Sequence, residues 1–519
     1  MIRNFAVVGP WQATRERLTA ALAAAPDTAV YRIGRGADPL PVSATFDPSD
    51  QAGCRSLLDW FERGAPSGAV LLVDDWGLCF EQDPELDRTV EWIAAFGPSR
   101  GVQVVVTARK WSDLPDRLRR HLHGEATDFL ALHGIEADLS NKYQHHDLKT
   151  AVGVDERGWP VHLDISVDGN GLTGTYLGPQ RRQKLLSALL GLMVTHSPED
   201  LNFGFFDMKN TGAFDELSHA PHVSFLLTNE AEDEMLDRFQ DGLAGELNRR
   251  QQLLHAAGRC RNFTDYQEKL DAGEDLQPLA ALLICVDSAE VLIERHPRFG
   301  EVLKALTRAG RTQGIHLLYS GDVFPAQLPF TIPEWPSATP PHDLAEWVEV
   351  LPHALIGSAP SARQVVLPPL HQSHANLTLE MLPPGAIGLV DKPFEQRRDV
   401  LAPNFTEKFR HGAIVGRPGT GKSTTLRTLA AVLGDDVARY QLLDGPGEPL
   451  DPQRHIVVTA RSWDQVPPFI KNSLGFGIEF RLDDPATSLV DARQAARVPD
   501  KPGHGLSVPH RLHAQIALP

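Results

Sequence analysis

The stretch "GAIVGRPGTGKSTTLRTLAA" (412–431) decides how this chain is read. From Gly416 to Ser423 it spells GxxxxGK[ST]. Each residue type there has a physical reason. Glycines let the backbone curl so that its N–H groups converge on phosphate oxygens. The lysine reaches the β- and γ-phosphates, the hydroxyl coordinates Mg²⁺, and the next helix turns its N-terminus toward the anion. A turn that binds nothing could share the glycines. Here, however, strand-like "AIV" precedes the loop, and apolar positions Leu426, Leu429 and Leu433 follow at helical spacing up to a stop at Gly434. The expectation is that Gly416, Arg417, Pro418, Gly419, Thr420, Gly421, Lys422, Ser423 and Thr424 hold ATP, with Ser423 on Mg²⁺.

Working outward, the pattern of β-like run, glycine and helix-like run occurs three times: "FAVVGPWQATRERLTAALA" (5–23), "GTYLGPQRRQKLLSALLGLMV" (174–194) and the stretch above. Aligning Gly9, Gly178 and Gly416 brings Arg15, Lys184 and Lys422 into register. The first loop, "GPWQATRE", has Arg15 for the lysine and Glu16 for the hydroxyl, and a carboxylate there would repel phosphate. The second, "GPQRRQKL", keeps Lys184 but places Leu185 where a hydroxyl belongs. Both read better as structural turns. A second repeat, "VVTARKW" (105–111) and "VVTARSW" (457–463), relates the first and last modules. Alternating strands and helices predict an α/β fold with mostly parallel sheets flanked by helices. The predicted modules are 1–139, 150–325 and 375–519, with a proline-rich linker region at 326–374. Adjacent His145 and His146 lack spaced partners and read as solvated linker residues rather than metal ligands.

Hydrolysis also needs acids at a strand end, one supporting Mg²⁺ and a neighbour positioning water. The first module ends "AVLLVDD" in Asp74 and Asp75. The second ends "ALLICVDSAE" in Asp287, with Ser288 where a glutamate is expected. In the third, the candidate strand "RYQLLDG" ends in Asp444 followed by Gly445. The interval from Tyr440 to Val457 is far shorter than that from Tyr31 to Val105. Either the acidic-strand segment has been lost, or Asp444 is that strand end and an intervening helix is missing. Asp74, Asp75, Asp287 and Asp444 are therefore weak catalytic candidates, and the intact loop and the paired acids fall in different modules.

Bulk properties bound the partners. The chain has 519 residues and a formal net charge of −17. That balance disfavours DNA, whose affinity comes largely from phosphate neutralisation by basic residues. Four scattered cysteines suit a reducing cytoplasm. The start "MIRNFAVVGPW" lacks the apolar run of a signal peptide, and the apolar runs are too short to cross a bilayer.

With these phrases in hand, the sequence resembles the FtsK/SpoIIIE ATPase family, and within it the EccC ATPases of type VII secretion. The phrases are "THSPEDLNFGFFDMKNTGAF", "APHVSFLLTN", "AGELNRRQQLLHAAG" and "LTRAGRTQGIHLL" in the second module, and "IGLVDKPFEQRRD", "GIEFRLDDP" and "PDKPGHGL" in the third. The resemblance implies three tandem RecA-like P-loop modules, ATP with Mg²⁺, ring-like homo-oligomeric or tandem assembly, and transport of protein substrates of the WxG type. It also implies a membrane-anchored partner, so that the chain is cytoplasmic or peripheral at the inner face of the membrane. Arg308 and Arg311 lie where the family could supply a trans-acting arginine, but read as solvated helix charges. The departures are the damaged loop and the Asp287–Ser288 pair in the second module, which such ATPases normally keep intact. The expected function is thus an ATP-binding secretion component with weak or no intrinsic hydrolysis. The alternatives are an ATPase completed in trans by a neighbour, an FtsK-type DNA translocase, and a scaffold in which no loop binds.

Overall fold

The structure is a computed structural model. It describes all residues except 1–2, 10, 24–27, 36–39, 84, 126–127, 145–146, 166–178, 211, 213, 229–232, 259, 321–336, 375, 446–448 and 452. His145, His146 and the strand and glycine of the second loop therefore lie outside the described residues. Two compact units form, one from Met1–Asn229 with Ala257–Arg363 and one from Glu230–Ala256 with Gln364–Pro519. The four-segment division read from the repeats is finer than this pair.

The first unit holds two parallel sheets. The first sheet contains β1 (Phe5–Val8), β2 (Val30–Ile33), β3 (Ala44–Phe46), β4 (Val70–Val73), β5 (Gln103–Ala108) and β6 (His123–Glu125), in the order β3-β2-β4-β5-β1-β6. Strands β1 and β4 read as unbroken apolar runs because helices cover both faces. Successive side chains point to opposite faces, and two cores result. Ala6, Leu71 and Val104 enter one, while Phe5, Val70 and Val105 enter the other.

An antiparallel hairpin, β7 (Lys149–Val154) with β8 (Pro160–Asp164), precedes the second sheet. That sheet contains β9 (Leu201–Asp207), β10 (Val223–Thr228), β11 (Ala281–Asp287) and β12 (Ile315–Ser320), all parallel, in the order β10-β9-β11-β12. Part of the proline-rich stretch is ordered against it: helix Leu344–Ala354 buries Leu344 and Leu351 in the same core as Leu189 and Phe203.

The second unit contains β13 (Gly388–Lys392), β14 (Arg397–Leu401), β15 (His411–Val415), β16 (Tyr440–Leu443), β17 (His455–Ala460), β18 (Leu474–Phe480), β19 (His504–Ser507) and β20 (Leu512–Ile516), in the order β14-β13-β20-β19-β18-β15-β17-β16. The half from β18 to β16 is parallel, as the repeats predict. The other half is antiparallel, because two hairpins, β13–β14 and β19–β20, extend the sheet beyond the repeated core. The hairpin β7–β8 holds the same place before the second loop as β13–β14 before the third, but it lies outside the repeated loop-and-helix phrases, so the repeats could not show either.

The register settles the question left open about the third module. In the first sheet Val7 pairs with Thr107 and Val73 with Val106. In the third, Ile414 pairs with Thr459 and Leu443 with Val458. β16 therefore takes the place of β4, and Asp444 is the counterpart of Asp74. Among the described residues, β2, β3 and the helix Gln51–Arg63 have no equivalent, and β16 forms the sheet edge.

Candidate nucleotide site

The intact loop sits between β15 and the helix Lys422–Leu433. Two backbone bonds fix its entry: Gly416 N–H donates to Ala460 C=O at 3.1 Å, and Arg417 N–H to Arg481 C=O at 2.9 Å. A Cβ at Gly416 would lie 2.7 Å from that of Phe480, so only glycine fits. Gly419 and Gly421 have φ of +83° and +100°, the left-handed region that side chains resist. The curl ends at Lys422, where the helix begins and its first N–H groups have no intrahelical acceptor. Thr420 Oγ1 donates to Arg417 C=O and Thr425 Oγ1 to Gly421 C=O, both at 2.9 Å, which stiffens the curl.

Lys422 Nζ donates to Gly416 C=O at 2.7 Å and Arg417 C=O at 2.9 Å. Burial lowers its pKa; Asp444 opposes that shift and Arg461 adds to it. Ser423 and Pro418 are exposed at the mouth, and Thr424 is half-buried. Arg417 pairs with Asp500, and Arg461 Nε with Asp483 Oδ2 at 2.7 Å. Hydrogen bonding to Arg417 lowers the Asp500 pKa. A cavity of about 220 Å³ opens beside the helix start, lined among others by Gly421, Thr424, Thr425, Gly503 and His504. The glycine geometry, the lysine and the hydroxyl thus fit a nucleotide triphosphate with Mg²⁺.

The acids are arranged differently in each module. Asp444 accepts from Thr459 Oγ1 at 2.9 Å. Asp74 accepts the matching bond from Thr107 Oγ1 at 2.8 Å. These threonines lie in the repeated "VVTAR", the one signal by which sequence could have found them. After each strand-end aspartate the chain turns left-handed, at Asp75 (φ 63°), Ser288 (φ 61°) and Gly445 (φ 108°). The position that could carry a second acid is thus kept in all three modules, and in the third it is a glycine with no side chain. Asp287 aligns with Asp207 across β11 and β9. Glu290 lies on the first turn of helix Ala289–Arg295, because the chain leaves the sheet at Ser288; it pairs with Lys209 at 3.4 Å. Arg308 is exposed and Arg311 lies just beyond it, before β12.

In the first module the site is closed from within. Arg15, at the lysine position, bonds Asp74 Oδ2 at 2.6 Å and stacks on Trp11. Arg32 approaches Asp74 at 3.8 Å, and Asp74 is 1% exposed. Asp75 is held by the Thr107 hydroxyl, which accepts from its N–H, and by Arg109. Sequence named Arg15 and Asp74 separately; the contact between them was the missed element. In the second module Lys184 is half-buried, and the glycine before it lies outside the described residues.

Comparison with known proteins now has a geometry to meet. No family model matches the chain. It is 28% identical to the ESX-4 secretion system protein EccC4 of Mycobacterium tuberculosis, over 73% of this chain and 47% of that one. It is also similar to the ESX secretion system protein EccC of Thermomonospora curvata, at 24% identity over 72% of this chain and 45% of that one. The chain is a homologue of the EccC ATPases. It spans about half the length of these curated relatives. The fold matches the cytoplasmic domain of the Thermomonospora curvata type VII secretion ATPase EccC, with a TM-score of 0.61 at 23% identity, covering 76% of this chain and 67% of that one. As in such tandem ATPase structures, RecA-like parallel sheets are flanked by helices. Among the described residues of this EccC homologue, no helix is long and apolar enough to cross a membrane.

Proposed function

We propose that the chain is an EccC-like component of a type VII protein secretion machine that holds one ATP with Mg²⁺ at Gly416–Thr424 and hydrolyses it weakly or not at all by itself. One observation carries this reading: the sole complete GxxxxGK[ST] loop belongs to the module whose strand-end Asp444 is followed by Gly445. The helix N-terminus and Lys422 bind the phosphates, and Ser423 with Asp444 supports the metal. Bound Mg²⁺ would neutralise phosphate charge. Gly445, the residue after Asp444, brings no carboxylate to orient water. Asp74 is buried under Arg15, which speaks against its completing a site in trans. On the resemblance carried by the sequence phrases, the substrates are secreted proteins of the WxG type, and a membrane-anchored subunit brings the chain to the inner face of the membrane.

Calorimetric titration with ATP and Mg²⁺ tests the reading. Binding should fall more than tenfold in Lys422→Ala and lose its Mg²⁺ dependence in Ser423→Ala. Phosphate release by the parent should equal that of Lys422→Ala. Turnover well above a slow background and abolished by Lys422→Ala would overturn the weak-hydrolysis part, and a rise in specific activity with protein concentration would favour completion in trans. Absence of any binding would leave the scaffold reading.

A further inference from the structure

Away from the loop, the short helical turn Glu216–His219 in the first unit faces the last turn of helix Leu344–Ala354. Glu216, His219 and His353 converge there. One ligand atom from each lies within 4.8 Å of the other two, and all three residues are exposed. The imidazoles of His219 and His353 stack at 4.6 Å with an interplanar angle of 26°. We propose that these three side chains form a binding site for a divalent transition-metal ion of the Zn²⁺ class.

The backbone supports such a site. Glu216 and His219 are three apart on a 3₁₀ turn, where side chains at that spacing eclipse, so both present to one side. The two elements are held by burial rather than by the ligands: Leu217, Leu344, Leu351 and Leu355 enter one hydrophobic core. The metal would therefore find its ligands on two pre-positioned backbones, with only exposed side chains to adjust. Donors about 2.1 Å from a tetrahedral ion sit about 3.4 Å apart, a rotamer adjustment away from the observed spread. No hydrogen bond or ion pair to another described residue competes for the three side chains.

The donor set also names the metal class. Two imidazoles with one carboxylate suit Zn²⁺ and its neighbours, whereas Ca²⁺ and Mg²⁺ prefer oxygen alone. Three protein donors leave a fourth position to water. The bound ion would pin residues 216–219 to the helix 344–354, joining positions distant in sequence within one unit.

The test uses the full chain, stripped with chelator and titrated with Zn²⁺ by calorimetry and with Co²⁺ by visible absorption. One equivalent should bind, giving a tetrahedral Co²⁺ spectrum, and Zn²⁺ should slow amide exchange in 344–354. His219→Gln and His353→Gln should each weaken binding at least tenfold, and Glu216→Gln should weaken it too. Lys422→Ala should leave it unchanged. The substituted residues are exposed, so circular dichroism should match the parent. A parent that binds no Zn²⁺, or a triple variant that binds it with unchanged stoichiometry and affinity, would overturn the proposal.

Discussion

Replacing Arg15 by alanine isolates what the first module has done with its nucleotide loop. Asp74 lies at the end of a buried strand with 1% exposure, and Arg15 is 12% exposed beside it at 2.6 Å. Removing one partner of a buried pair typically costs about 3–5 kcal/mol, because a charge is left without compensation. Here the Thr107 hydroxyl and Arg32 at 3.8 Å stay with the carboxylate, so about 2–3 kcal/mol is expected. At roughly 1–2 °C per kcal/mol for a unit of this size, the thermal transition should fall by roughly 2–6 °C. The double variant Arg15→Ala/Asp74→Asn removes the charge as well and should recover about 1–2 kcal/mol of that loss. Calorimetric melts give the size, and hydrogen exchange over 70–74 and 103–108 shows that the loss lies in the first sheet. An Arg15→Ala protein that melts with the parent, or a double variant that is simply additive, would refute the idea that Arg15 takes the place of a bound phosphate's partner.

Further expectations follow from the same geometry. Gly421→Ala puts a side chain at φ +100°, 3.0 Å from Gly503 N, and should abolish ATP binding in calorimetry while costing about 1–2 kcal/mol of stability. Glu479 is fully buried on β18 and accepts from Trp463 Nε1, the Ser488 hydroxyl and Leu489 N–H; Glu479→Ala should destabilise the second unit by about 3 kcal/mol in denaturant melts. His504 and His513 have pKa values lowered to about 4, mainly by burial. Their stabilisation is complete above the ordinary histidine value and is lost as pH falls from about 6.5 through 4, because the unfolded chain takes up the protons first. Melting temperature against pH should fall across that window, and His513→Asn should flatten the fall.

The parallel core was legible because its strands are apolar on both faces and because glycine, lysine and hydroxyl must keep fixed spacing to cradle phosphate. Asp444 was legible only as an alternative. Two similar strands, "YRIG" and "YQLL", competed for the same alignment, and only the register of Leu443 with Val458 separates them. The hairpins 388–401 and 504–516 were hidden, since nothing in a repeat predicts what is added outside it. The Arg15–Asp74 pair was hidden for a different reason: its members are distant in sequence, and alone Arg15 reads as a defect and Asp74 as a candidate acid. Together they explain each other. A buried aspartate needs a cation, and the arginine at the lysine position reaches it. The third module differs, with a complete cradle and Gly445 after its strand-end Asp444. One module pairs its strand-end acid with the arginine of its own loop, while the other has a complete loop and a glycine beside its acid.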